Sequence, residues 1–211
     1  MAKKKVTATE PAVEKKSAAK AAPKAGMVKI PPLELDRIDI EVVGDTSLIC
    51  HKWSEKARKQ MLGKQTGEAR QGKERKNPEQ DFKDSLYLYP GGGYGFPSVA
   101  FKAAAVRAAK SADMAMTDAR AAFHVIGEMV KINGEPEMRE DPVRLNGSTA
   151  DIRFRGEFKK WSAVIPVRFN SRIISASQVV NLFNTAGFAP GVGEWRPEKG
   201  GQHGMFHVRE G

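Results

Sequence analysis

Apolar and polar residues alternate in several parts of the chain, which predicts β-strands. The clearest case is residues 35–43, where the apolar side chains fall on one face and the charged ones on the other. Residues 149–155 and 161–168 alternate in the same way, and we expect them to pair as adjacent antiparallel strands. Residues 86–89 and 205–208 predict two shorter strands.

Helical spacing of apolar residues, together with capping signals, predicts two principal helices. Ser98 caps the first, which runs to about Ala112. Ser175 begins the second and forms a capping box with Gln178, and Gly187 ends it.

Turn-forming residues divide the middle of the chain. Residues 123–132 are strand-like with a bend at Gly127, and Asn133-Gly134 is a strong turn signal that would start a hairpin. Residues 135–148 are polar and contain two prolines, so we interpret them as a long loop.

The elements follow the order strand, helix, strand, strand or hairpin, helix, strand. This order predicts an α+β fold with a ferredoxin-like or RNA-recognition-type βαββαβ sheet carrying insertions. Neither half holds a complete set of elements, so residues 29–211 are expected to form one domain.

The charge balance adds information about the partner of this fold. The chain has 35 Lys and Arg residues against 25 Asp and Glu residues, which gives a net charge of +10. Such a balance favours anionic partners such as nucleic acid. A single cysteine excludes an intramolecular disulfide framework, and no apolar run reaches the length of a membrane span. We therefore expect a cytoplasmic protein with no membrane partner.

Basic residues are concentrated in two weakly apolar regions. Residues 1–28 are rich in Lys, Ala and Pro and are expected to be a disordered tail. That tail is either an arm that contacts phosphates or a solubilising segment without a partner. Residues 52–82 are interpreted as a short helix, capped by Ser54, followed by a mobile basic insertion.

The segment after the second helix is rich in glycine and contains Trp195, Arg196 and Lys199. Its glycines either let the backbone approach a phosphate or simply permit a tight connection, and the embedded Trp-Arg-Pro-Glu-Lys favours the first alternative. Trp195 would then stack on a base or brace the loop.

Further basic residues are predicted on the outward side of paired strands, where an open sheet face commonly binds RNA or single-stranded DNA. The full set of candidate nucleic-acid contacts is Lys52, Lys56, Arg58, Lys59, Arg153, Arg155, Arg168, Arg172, Trp195, Arg196 and Lys199.

No sequence motif in the chain identifies a catalysed reaction. There is no Walker loop, G-x-S-x-G or H-E-x-x-H motif, and the four histidines have no metal-ligand spacing, so neither a metal nor a cofactor is expected. Glu137, Glu140 and Asp141 surround Arg139 and are interpreted as a solvated charge run rather than a general base. The protein is therefore expected to be non-enzymatic.

The segment GFAPGVGEWRPEKGGQHGMF, with the helix before it and the strand after it, resembles the C-terminal glycine-rich element of the repeat-associated RNA-binding (RAMP) proteins. These include the backbone subunits of CRISPR effector complexes. The strand that runs into GDTSLICHKW is similar to the family's opening strand and loop. The resemblance covers about residues 35–208 and implies a modified RNA-recognition fold and binding of RNA or another single strand. The chain as a whole also looks like uncharacterised proteins of phages and prophages, and this resemblance implies the host-cell cytoplasm as its location.

The sequence thus favours a nucleic-acid-binding protein that holds single-stranded RNA or DNA through its basic loops and glycine-rich segment, as a homo-oligomer along the strand. The alternative is a phage structural or assembly protein without specific recognition. A nuclease of the same broad fold is a third hypothesis that rests on analogy alone.

Overall fold

Helices and antiparallel sheets make up the structure, a computed structural model that describes residues 32–67, 75–145 and 149–210. The strands are β1 (Leu35–Gly44), β2 (Leu48–Cys50), β3 (Tyr94–Pro97), β4 (Phe123–Val125), β5 (Met129–Asn133), β6 (Pro136–Leu145), β7 (Thr149–Phe158), β8 (Ser162–Asn170) and β9 (Phe206–Val208). The helices are α1 (Glu55–Thr66), α2 (Pro78–Ser85), α3 (Ser98–Ala108), α4 (Met116–Ala122) and α5 (Ala176–Phe188). The α+β class is confirmed, whereas the predicted tail at 1–28 lies outside the described residues.

The larger sheet has the strand order β3-β5-β8-β1-β9, with β4 also paired to β8. β1 lies between β8 and β9 and is antiparallel to both. The alternation predicted for residues 35–43 is confirmed, since Ile40 and Val42 are buried while Arg37 and Asp39 on the other face are exposed.

Helices α3 and α5 supply the apolar side chains that cover the inner face of this sheet. Phe101 of α3 lies edge-on to Phe206 with ring centroids 6.0 Å apart, and Phe183 of α5 contacts Phe123 at 5.9 Å. All four rings are buried. Each such side chain contributes roughly 1.5–3 kcal/mol through burial, so this layer is the main core.

The smaller sheet has the order β2-β7-β6 and corrects the prediction of a loop at 135–148. Residues 136–145 instead form β6, which pairs with β7 from Pro136 opposite Phe158 to Leu145 opposite Thr149. The prolines fit because β6 is the edge of the sheet, where a missing amide is tolerated. Charged residues concealed the strand, since several of them pair with one another across the sheet.

Two predicted strand pairings are wrong because the strands belong to two different sheets. β7 and β8 belong to different sheets, so residues 149–155 and 161–168 are not neighbours. The turn at Asn133-Gly134 does not start a hairpin either, because β5 pairs with β3 and β8 while β6 pairs with β7. That turn instead carries the chain from one sheet to the other.

The helix ends partly follow the predictions. The capping box of Ser175 and Gln178 is confirmed. Gly187 does not end α5, because the helix continues to Phe188. Gly187 lies inside the helix, and a Cβ at this position would fall 1.8 Å from the Phe206 carbonyl oxygen. Ser98 is the first residue of α3, and its hydroxyl donates to the Gly127 carbonyl instead of capping the helix.

The segment predicted as a basic insertion contains two helices. α1 begins after its cap Ser54, as expected, and passes Gly63 to end at Gly67 in a left-handed conformation. α2, which was not predicted, packs on β7, where the Ser85 hydroxyl accepts a hydrogen bond from the Gly156 amide. Residues 86–89 form only an isolated bridge from Leu88 to Tyr94. Within the described ranges, no helix combines the length and apolar character needed to cross a membrane.

Candidate nucleic-acid interface

The end of β2 and the glycine-rich loop meet at one rim of the molecule. The Glu194 amide donates to the Ile49 carbonyl at 3.1 Å, and the His51 Nδ1 lies 3.5 Å from the Glu194 carboxylate. The hydrogen bond from His51 lowers the pKa of Glu194. These contacts bring the predicted residues around Lys52 and Trp195, which are far apart in sequence, to the same rim.

The glycines of this loop serve close backbone contacts. A Cβ on Gly204 would lie 1.6 Å from the Val192 carbonyl oxygen, and one on Gly201 would lie 1.8 Å from that of Trp195. Most amides of the loop already donate to carbonyls, including those of Glu194, Lys199, Gly200, Gly201, His203 and Gly204. A phosphate-binding nest needs amides without such partners, so the glycines build the loop itself and favour the second of the two interpretations given above.

Ion pairs within the loop engage Arg196. Its guanidinium lies 2.9 Å from the Glu198 carboxylate and donates to the Gly193 carbonyl at 3.1 Å. Arg107 of α3 pairs with the same carboxylate at 2.5 Å. Two guanidinium groups therefore share one carboxylate, which leaves a single net positive charge while both arginines brace the loop against α3.

Two tryptophans of the rim are exposed to solvent. Trp53 is 59% exposed and Trp195 is 45% exposed. The backbone of Trp195 has a φ of +53°, in the left-handed region that costs roughly 1–2 kcal/mol for a residue with a Cβ. Close to half of the residue remains exposed to solvent, so part of the indole is accessible to a ligand.

Helix α1 presents basic side chains beside Trp53. None of its residues is buried. Lys56, Arg58 and Lys59 project from it, and Lys52 precedes it. Arg58 lies 3.6 Å from Glu55, an exposed pair that contributes little to stability. A helix with no buried face and several cations is suited to an anionic partner.

The other predicted arginines lie at separate places. Arg155 is only 3% exposed and pairs with Asp141 at 2.9 Å, so the prediction that it contacts nucleic acid is wrong for the folded chain. The prediction that Asp141 is solvated is wrong for the same reason. Arg172 pairs with Glu34 at 2.7 Å, and Arg153 lies on β7 opposite Asp141.

Arg168 is exposed on the open face of the larger sheet, opposite the face that carries the core. It lies directly opposite His124 of β4, whose ring nitrogen is 2.9 Å from the Lys102 ammonium. Neither Lys102 nor His124 was predicted as a contact residue. No sequence signal joins them, because they come from different elements and meet only through strand pairing.

A groove of about 290 Å³ separates the start of α3 from the glycine-rich loop. Its lining includes Tyr87, Val99 and Ala103 on one side and Glu194 and Arg196 on the other. Val99 is largely exposed at its edge. The groove thus borders the same rim as Trp195.

A serine, a histidine and a glutamate meet below the loop, but not as a catalytic triad. The Ser47 hydroxyl donates to Glu157 at 2.6 Å and lies 2.9 Å from the His203 Nδ1. Since Glu157 takes the only hydroxyl proton, His203 must donate to Ser47 rather than deprotonate it. In the described part of the chain, no group of three His, Cys, Asp or Glu side chains could hold a metal ion.

Comparison with known proteins returns neither a matching family model nor a matching curated protein. Among solved structures, a chain of the Type III-B Cmr-beta complex bound to cognate target RNA has 10% identity and a TM-score of 0.49, over 83% of this chain and 59% of that one. Cmr6 from Pyrococcus furiosus has 11% identity and a TM-score of 0.43, over 84% of this chain and 100% of that one. The chain therefore spans about three fifths of the length of the first of these two proteins.

Proposed function

We propose that this chain is a non-enzymatic nucleic-acid-binding protein that holds a single strand across the rim formed by Trp53, Trp195 and helix α1. The observation that carries the proposal is the exposed Trp195 on a strained, left-handed backbone. Base stacking on the exposed part of this indole contributes about 1–3 kcal/mol per base.

Cations near the two indoles contact the phosphates of the bound nucleic-acid strand. Lys52, Lys56, Arg58 and Lys59 lie on or next to α1, and Lys199 is exposed in the glycine-rich loop. Arg196 positions the loop through Glu198 and adds charge without being freely available. This division assigns recognition of bases to the tryptophans and attachment to the backbone to the lysines.

The arrangement of the larger sheet supports a ferredoxin-like core for this role. Omitting insertions, β1, α3, β5, β8, α5 and β9 follow one another as βαββαβ, and their strands lie in the order β5-β8-β1-β9. We propose that residues 52–82 are an insertion into this core that forms part of the interface. The tail at 1–28 is proposed to be a disordered arm, and copies of the chain to assemble side by side along the strand.

Fluorescence anisotropy with labelled oligouridine, oligodeoxythymidine and duplex DNA, at two salt concentrations, tests the proposal. Trp195→Ala and Trp53→Ala should each weaken single-strand binding by about 5- to 150-fold, which corresponds to the 1–3 kcal/mol of one stacked base. Lys52→Gln with Lys59→Gln should weaken binding to all sequences and reduce the salt dependence, because fewer counterions are released.

Matched controls separate these effects from unfolding. Phe188 is 74% exposed at the end of α5, so Phe188→Ala removes an exposed aromatic ring that is not part of the rim. Lys110→Gln removes an exposed lysine outside α1. Wild-type affinity in both tryptophan variants, with unchanged melting temperatures, would exclude the rim as the binding site.

A further inference from the structure

A cluster of positively charged and hydrogen-bond-donating side chains lies at the open face and edge of the larger sheet. Lys102 comes from α3, Arg120 from α4, His124 from β4 and Arg168 from β8. Residues directly opposite in an antiparallel pair point to the same face, with Cβ atoms about 5 Å apart. His124 and Arg168 are such a pair, and the Lys102 ammonium lies 2.9 Å from the His124 Nδ1.

The charges in this cluster repel one another. Burial and then Arg120 lower the pKa of Lys102, and burial followed by Lys102 and Arg168 lowers the pKa of His124. Arg37 of β1 faces Arg168 from the other side and is engaged by Asp39 at 3.2 Å. Within the described ranges, no carboxylate pairs with Lys102, Arg120 or Arg168. The part of the chain that the structure describes thus holds these like charges together without a carboxylate paired to them.

Every polar group offered by the cluster is a donor. The Lys102 ammonium donates to Nδ1 of His124, so the neutral imidazole carries its proton on Nε2 and donates there. Lysine and arginine have no acceptor atoms at all. A ligand that only donates hydrogen bonds, or that is a cation, would find no partner here, whereas an oxyanion would satisfy all of these groups.

We propose that Lys102, Arg120, His124 and Arg168 form a binding site for a phosphate group. Phosphate offers several acceptor oxygens and a charge that relieves the mutual repulsion of the cluster. Arginine and the imidazole fix its orientation, and lysine adds a point charge. The site goes beyond the proposed function, because it lies on the sheet face rather than at the tryptophan rim and would bind inorganic phosphate by itself.

Nuclear magnetic resonance of the His124 imidazole tests this site directly. The full-length protein is titrated with pH in sodium chloride and in sodium phosphate of equal ionic strength. Phosphate should raise the pKa of His124, since a bound anion stabilises the imidazolium. The imidazole signals of His207, which lies exposed on β9 and pairs with Asp45, should not respond to phosphate and serve as the internal control.

Variants identify the groups that hold the phosphate. Arg168→Gln and Lys102→Gln should each weaken phosphate binding about tenfold or more, because each removes a charge-assisted hydrogen bond. Lys131→Gln is the matched control, as Lys131 is an exposed lysine of the neighbouring strand β5. An unchanged His124 pKa in phosphate, or equal weakening by Lys131→Gln, would overturn the site.

Two further titrations distinguish the source of the phosphate group. If an oligonucleotide displaces inorganic phosphate and also raises the His124 pKa, the site binds the nucleic-acid backbone. If it does not, while inorganic phosphate still binds, the site serves free phosphate or a phosphorylated small molecule. A response to the oligonucleotide without any response to phosphate would refute the proposal. The tryptophan variants leave this cluster intact. Loss of the phosphate response therefore tests the phosphate site alone, and the tryptophan variants test the rim alone.

Discussion

Asp141→Ala should destabilise the protein more than an ordinary surface substitution. Asp141 and Arg155 join β6 to β7 with side chains that are 8% and 3% exposed and an Nη1–Oδ2 distance of 2.9 Å. Among the described groups, Asp141 is the only acid that pairs with Arg155, and the Arg155 Nε already lacks a partner. Removing the carboxylate therefore leaves a buried guanidinium without an ion-pair partner among the described residues.

The expected loss in the free energy of unfolding is about 3–5 kcal/mol, as for other buried pairs from which one partner is removed. Arg139 also pairs with Asp141, but it still has Glu157 at 3.1 Å when Asp141 is removed. The loss of an ion-pair partner is therefore confined to Arg155. Replacing both members by apolar residues, Asp141→Leu with Arg155→Met, should recover much of the loss, since no charge is then left buried.

Urea unfolding followed by circular dichroism measures these differences from the midpoint and the slope. Glu137→Ala is the matched control, because it breaks the pair between Glu137 of β6 and Lys159 just after β7, in which both side chains are exposed. Its midpoint should stay close to that of the wild type. A midpoint for Asp141→Ala equal to that of Glu137→Ala would refute the reasoning and return Arg155 to the set of residues that could contact nucleic acid.

One further substitution and one labelling experiment follow from the packing. Gly187→Ala should lower the free energy of unfolding by about 1–3 kcal/mol, because its Cβ would fall 1.8 Å from the Phe206 carbonyl oxygen and push β9 away from α5; urea unfolding measures it, and a stability equal to wild type would contradict the close packing. The Cys50 thiol should resist alkylation at pH 8 until the chain unfolds, because burial raises its pKa to about 12; rapid labelling of the folded protein by iodoacetamide would show that β2 opens.

The parts of the fold that follow from local rules could be predicted. The alternation in β1 and the capping box of α5 depend on neighbours in sequence, and the structure confirms both. The extension of α5 through Gly187 depends on β9 packing against it, which is not visible in the local pattern. A glycine that permits a close approach and a glycine that ends a helix look the same in a sequence.

The second sheet could not be predicted, because buried charges reverse the usual pattern. In β7 the charged Arg155 is buried on one face, while the apolar Ile152 on the opposite face is exposed. Alternation then places the charged residue inside and the apolar residue outside, so a rule based on hydrophobicity assigns the faces wrongly. The same ion pairs made β6 look like a solvated loop.

The proposed phosphate site depends on a single strand register that no local pattern specifies. β4 has only three residues, and a slip by one position would turn His124 into the core and Phe123 out of it. Two features oppose that slip: Phe123 is buried against Phe183, and the Ile126 amide donates to the Pro166 carbonyl at 2.8 Å. Gly127, with a φ of +84°, then separates β4 from β5. The core that fixes Phe123 therefore also fixes the imidazole of the next residue opposite Arg168, so packing on one face of the sheet sets the charge arrangement on the other.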